Sequence, residues 1–102
     1  WARISGLFDG EGHIHKNRAC LNFGMNDLDL VELFKEVTGI KNEIKEHTLK
    51  SGSTHFIVYV TGKSNVVRVL ERMMPYLGKR RQSQAHASID RIKALKPHGN
   101  SQ

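Results

Sequence analysis

The stretch Ile4-Ser5-Gly6-Leu7-Phe8-Asp9-Gly10-Glu11-Gly12 decides how the rest of this chain can be arranged. From Trp1 to Phe8 the spacing predicts a short helix, because Ile4, Leu7 and Phe8 can share one apolar stripe. Ala2, Ser5 and Gly6 are small, which gives the helix a second face that another backbone can approach closely. Gly10 and Gly12 are expected to stop the helix, since glycine enters the unusual backbone conformations of a helix end without steric penalty. Two acids, Asp9 and Glu11, are left at the point where the chain turns.

Working outward, His13 to Arg18 and Ala19 to Asn26 alternate as strands. In the second, Leu21, Phe23 and Met25 fall on one face and Cys20, Asn22 and Gly24 on the other. Asn26 or Asp27 can cap a following helix, whose apolar side is Leu28, Val31, Leu33, Phe34 and Val37 and whose end is Gly39. Ile40 to Thr48 and Thr54 to Thr61 make a second strand pair across the polar link Lys50-Ser51-Gly52-Ser53. Helical spacing returns in Ser64 to Met74 and stops at Pro75; a last helix is expected from about Arg80 to Leu95. The order α-β-β-α-β-β-α-α predicts an α+β fold. Its four-stranded antiparallel sheet carries helices on one face and leaves the other open, as antiparallel sheets tolerate. Residues 1–96 are expected to form a single domain and 97–102 a frayed tail.

The chain has 102 residues, enough for one domain with a core, and its 38% apolar and 25% charged residues are those of a folded protein. Sixteen Lys and Arg against ten Asp and Glu give a net charge of +6, which favours an anionic partner, nucleic acid first. The single cysteine, Cys20, excludes an intrachain disulfide framework and a cysteine zinc site, and fits a reducing interior. No apolar run approaches the roughly 20 residues of a membrane helix.

The acidic turn carries the chemistry. If two copies of the first helix pack through their small faces, Asp9 and Glu11 of one chain lie beside the same residues of the other. Opposed carboxylates repel. A divalent cation between them removes that cost, and hard oxygen ligands suit Mg²⁺, which keeps waters and takes further ligands from phosphate. Such a centre can assist phosphodiester cleavage. Two other readings of the same residues are weaker. Gly10-Glu11-Gly12 lacks the third glycine and following helix of a dinucleotide fingerprint, and there is no phosphate-loop Gly-Lys-Ser/Thr. His13-Ile14-His15 has a spacing that can bind zinc but no evident partner ligands.

Residues 4–12 resemble the nine-residue signature of the LAGLIDADG homing endonucleases. Gly6, Leu7, Asp9 and Gly12 match it, Ser5 and Glu11 are conservative replacements, and Gly10 is an accepted variant. Residues 75–82, Pro75-Tyr76-Leu77-Gly78-Lys79-Arg80-Arg81-Gln82, are similar to the segment from which that family brings a basic residue to its active site. The resemblance implies a homodimeric, Mg²⁺- or Mn²⁺-dependent endonuclease, without a nucleotide cofactor, that cuts both strands of a long pseudo-palindromic DNA target. It implies intron or intein mobility and an intracellular setting in cytoplasm, organelle or phage-infected host. Glu11, with Gly10 beside it, is the implied metal site, and Ala2, Ser5, Gly6 and Asp9 the implied dimer contact. Asp9 also reads as a structural residue of the helix end. Lys79 or Arg80 is the implied basic group. Asn26 or Asp27, with Asp27 preferred, is the implied polar group near metal-bound water, although either also reads as a helix cap.

With Ile14, Leu21, Phe23 and Met25 turned inward, His13, His15, Asn17 and Asn22 are expected on the open face, joined by Lys41, Lys45 and His47 from the second pair. A twisted β-ribbon of this kind fits a major groove, where Asn, Lys and His can bond base edges. The direction of the fourth strand is ambiguous, so Tyr59 reads either as a DNA contact or as core. The competing functions are a catalytically silent DNA-binding or intron-RNA maturase module of the same fold, and a small-molecule or protein binder.

Overall fold

In the computed structural model, residues 1–95 are described, and the expected tail lies outside them. The elements are α1 (Ala2–Glu11), β1 (Gly12–Ile14), β2 (Cys20–Met25), α2 (Leu28–Thr38), β3 (Lys45–Thr48), β4 (Thr54–Thr61), α3 (Lys63–Met73), a 3₁₀ turn (Met74–Tyr76) and α4 (Lys79–Ala94). The strands form one antiparallel sheet in the order β1-β2-β4-β3. Order and class are those expected from the sequence.

The first helix runs further than its glycines suggested, through Gly10 to Glu11. Gly12 ends it in extended backbone, φ −88° and ψ 166°, so the chain passes straight into β1. Gly12 is needed for space: a Cβ there would overlap the ring of the fully buried Phe8. The extension puts Glu11 on the last helical turn.

Two strands are shorter than their patterns. β1 keeps three residues, and the ladder closes beyond it with the His15 amide donating to the Cys20 carbonyl at 3.0 Å. Residues 40–44 stay irregular although Ile40 is buried and Ile44 packs on the core. There the Asn42 amide donates to the Tyr59 carbonyl at 2.8 Å and the Thr61 hydroxyl at 3.1 Å, taking places on the outer edge of β4 that a longer strand would occupy.

The turns behave as their residues dictate. Asp27 caps α2 by accepting from the Asp29 amide at 3.1 Å, and Gly39 closes that helix at φ 73°, a left-handed conformation costly to side chains. Gly52, at φ 91°, turns the β3–β4 hairpin.

The core lies between the sheet and the helices. Ile14, Leu21, Phe23, Val58 and Val60 from the strands meet Ile4, Phe8, Val31, Phe34, Val66, Val69 and Leu70 from the helices. Phe34 stacks on Phe23 at a centroid distance of 4.7 Å and faces Phe8 at 6.1 Å, which joins α1 and α2 to the sheet. Val58 and Val60 are fully buried, so β4 presents His55, Ile57, Tyr59 and Thr61 to the open face. That settles Tyr59 as a half-buried open-face residue. Ala85, Ile89 and Ile92 of α4 complete the core; along its length α4 packs beside β1 and α3.

Candidate functional site: an acidic helix end above an open sheet

α1 buries Ile4, Ser5 and Phe8 and exposes Ala2, Arg3, Gly6, Gly10 and Glu11. Ser5 therefore does not belong to the free face: it is fully buried and donates its hydroxyl to the Trp1 carbonyl at 2.6 Å. It turns inward because it sits one position from Ile4 and three from Phe8 on the helix, and it satisfies its hydroxyl locally. The exposed small stripe is instead Ala2, Gly6 and Gly10, four residues apart and thus on one face. A Cβ added to Gly6 or Gly10 meets nothing within 4 Å in this subunit. Glycine inside a helix costs roughly 0.5–1 kcal/mol relative to alanine, and nothing in the lone subunit requires it at these positions.

The C-terminal end of α1 is held by reciprocal contacts with the start of α4. Asp9 is half-buried with its carboxylate against Gly78, the N-cap of α4, with Oδ2 3.1 Å from where a Cβ of Gly78 would stand. A carboxylate is favoured there by the positive end of the helix dipole and its unpaired amides. In return Arg81, from the first turn of α4, donates to the Gly12 carbonyl at 2.8 Å and to the Asp9 carbonyl at 3.4 Å, with its guanidinium 5.6 Å from the centre of the Phe8 ring. α1 has no basic residue of its own in its last turn, and Arg81 supplies the missing cation. Asp9 thus turns its carboxylate toward α4 of the same chain and away from the exposed Ala2, Gly6 and Gly10 stripe on which it was expected to act.

Arg81 is the basic residue that reaches the motif, one position beyond the expected pair. Lys79 and Arg80 are both exposed, and Arg80 faces a groove beside β1. The sequence run Lys-Arg-Arg cannot fix which of three consecutive side chains points at α1, because a shift of one residue turns the direction by about 100°.

Glu11 opens into a cleft of about 410 Å³ that it shares with Asn26, Thr54 and His55 at the end of the sheet where β2 finishes and β4 begins. Asn26 lines this cleft; Asp27 does not, because its carboxylate is engaged as the cap of α2. Of the two residues expected near the site, it is thus Asn26 that the structure places beside Glu11, and Asp27, the one preferred from the sequence, that it places at the helix cap. His55, missed as a site residue, belongs here too, its Nε2 lying over Gly24 where a Cβ would come within 2.6 Å. The alternation of β4 held that signal once the direction of the strand was known.

Among the described residues no three His, Cys, Asp or Glu side chains gather to form a metal site. One subunit brings a single exposed carboxylate, Glu11, and the helix-end carbonyls around Gly10. Those are hard oxygen donors, and Mg²⁺ is commonly held by one or two carboxylates with phosphate oxygens and waters. The donor set fits such an ion as one carboxylate with neighbouring carbonyls, the remaining places falling to phosphate and water.

The open face continues from this cleft. His13 pairs with Asn22, Asn22 with Tyr59 and His47 with His55 across the strands, and Lys45 lies opposite Ile57. His13 and His15 meet edge to face at 4.8 Å, and His15 Nε2 lies 3.2 Å from Asn22 Nδ2. His15 titrates below 6.5, chiefly because burial disfavours its charged form and then because His13 and Arg18 are nearby. Asn17 and Lys41 are exposed but stand outside the strands. Burial raises the pKa of the Cys20 thiol, against the opposing pull of Arg18.

An α+β chain with an acid at the end of a small-faced helix, set at the edge of an open sheet face lined by His, Asn, Tyr and Lys side chains, is the architecture these contacts define. Residues 1–74 match the LAGLIDADG-like domain, and the chain belongs to that family. Two solved structures of the homing endonuclease I-CvuI share the fold, each at 19% identity. The complex with the I-CreI target (C1221) in 2 mM Mg, in which the DNA is not cleaved, superposes with a TM-score of 0.69 over 92% of this chain and 66% of that one. The complex with the Sro1.3 target in 2 mM Ca gives 0.65 over 90% and 64%. The present chain thus spans just under two thirds of the length of those chains. No curated protein matches the sequence.

Proposed function

We propose that this chain is one half of a homodimeric, divalent-metal-dependent DNA endonuclease that cuts both strands of a long, roughly palindromic target inside the cell. The observation that carries the reading is the pairing of an unexplained glycine stripe with an exposed acid on the same helix. Gly6 and Gly10 weaken α1 for no benefit within the subunit, and Glu11 follows Gly10 directly at the exposed end of the same helix. A second α1 lying against that stripe supplies the reason, because helices with small contact residues approach closely. Two-fold symmetry then brings two Glu11 carboxylates together, one per DNA strand.

Each residue has a role in this arrangement. Glu11 and the Gly10 carbonyl would hold Mg²⁺ or Mn²⁺, which when bound stabilises developing charge on the phosphate. Asp9 and Arg81 fix the helix end, and the Arg81 charge adds positive potential at the scissile phosphate. Asn26 and His55 line the approach to Glu11 and can orient a water by hydrogen bonding. The open face, with His13, Asn22, Lys45, His47 and Tyr59, reads base edges, and the DNA complexes of the fold neighbours support its placement against a duplex.

Selection of cleaved sites from a randomised duplex library in Mg²⁺, run with the wild type and with Glu11→Gln, tests the proposal. The wild type should recover a site with two-fold symmetry, and the variant should cut at least about a hundredfold more slowly, the scale on which losing one charge-stabilising group acts. Equal cutting by both would remove Glu11 from the reaction. Tight duplex binding by the wild type, with no product in Mg²⁺ or Mn²⁺, would leave a DNA-binding module in its place.

A further inference from the structure

A second cavity, about 550 Å³ against about 410 Å³ at Glu11, lies between β1 and α4. Its charged lining is Lys16, Arg80, Arg81 and Arg91, with His13 and His15 at the β1 side and no carboxylate. Crowded cations repel, and acids normally relieve them. Here the single ion pair among the described residues is elsewhere, Lys93 with Glu71 at 3.3 Å.

Arg91 is fixed in place. Its Nη2 donates to the His15 carbonyl at 2.9 Å and to the Ser88 hydroxyl at 3.2 Å, which leaves the remaining guanidinium donors for an outside acceptor. Arg80 and Arg91 are eleven residues apart, close to three full turns, so they share one stripe of α4 with Gln84 and Ala87 between them. Their separation along the axis is about 16 Å, equal to about four to five base-pair steps of rise along a duplex axis at roughly 3.4 Å each. The groove also meets the open sheet face at His13 and His15.

We propose that this groove holds the sugar-phosphate backbone of the same duplex that the sheet reads, with Arg91 and Lys16 as sequence-independent phosphate contacts. The proposal rests on the DNA-binding reading above and adds α4 to the interface. Its signature is electrostatic. Each neutralised phosphate contributes about −0.9 to the slope of log affinity against log salt for duplex DNA.

Affinity is measured by fluorescence anisotropy in Ca²⁺, on a random-sequence duplex and on the selected target, for the wild type, Lys16→Gln and Lys16→Gln/Arg91→Gln. The double variant should lower the slope by about 1.8, so that its deficit against the wild type shrinks about 12-fold between 50 and 200 mM salt, equally on both duplexes. Lys16 is exposed, so the single variant keeps the fold and should lower the slope by about 0.9. Unchanged slopes in a wild type that binds DNA would overturn the groove and leave the nuclease reading intact. A wild type that binds neither duplex would overturn both.

Discussion

Replacing Gly6 by alanine should push subunit stability and dimer affinity in opposite directions. Gly6 lies mid-helix with negative φ, and an added Cβ meets nothing within 4 Å, so the subunit only gains from the lost freedom of its unfolded chain. The gain is about 0.5–1 kcal/mol. At about 2.1 cal/mol/K per residue the unfolding entropy of a chain this size is near 0.2 kcal/mol/K, which converts the gain to about 2–5 °C in Tm. In a dimer packed through this stripe, the two symmetry-related methyl groups would enter a close-packed contact. Overpacking of that kind costs about 1–3 kcal/mol, or about 5- to 150-fold in Kd. Sedimentation equilibrium would give the dimer constant, and thermal melts over a range of protein concentration would separate subunit stability from association. Gly12→Ala is the internal contrast, since its Cβ would overlap the buried Phe8 ring and must destabilise the subunit itself. A Gly6→Ala protein that is more stable and still dimerises as the wild type does would refute close packing through α1.

Further outcomes follow from individual contacts. Asp27→Ala should lose about 1 kcal/mol in urea unfolding, the usual value of an N-cap, with the cutting rate of bound DNA unchanged because the residue caps α2 and does not line the Glu11 cleft. Arg81→Met removes a charged donor from two backbone carbonyls and should cost about 1.5–3 kcal/mol in the same assay; an unperturbed midpoint would show that α4 does not hold the end of α1. His15 has a folded pKa below 6.5, so below pH 6.5 the unfolded state binds more protons and stability falls as pH drops toward the folded value. His15→Gln should flatten that acid limb of stability against pH, measured by urea titrations from neutral to mildly acidic solution; an equally steep limb would assign it to other groups.

The order of elements was legible because hydrophobic spacing is a local property: Leu21, Phe23 and Met25 alternate, Val31 and Phe34 recur at helical distance, and Asp27 and Gly39 mark the two ends of one helix. The exposed acid at position 11 was equally plain. What the chain alone left open was decided by neighbours distant in sequence. α1 continues through Gly10 because packing against the sheet overrides the weak helix propensity of glycine, and Ser5 turns inward because Ile4 and Phe8 set the buried direction. Asn42 shortened β3 by bonding an edge of β4 seventeen residues away, and Val58 and Val60 chose the direction of a strand that is apolar on both sides. The choice of Arg81 over Lys79 and Arg80 depends on the rotation of α4 against α1, 72 residues earlier in the chain. Sequence thus determined the inventory of helices, strands and chemistry. Tertiary structure decided which side chain of each group faces which partner, because direction on a helix or strand changes with every residue while the composition that attracts a charge does not.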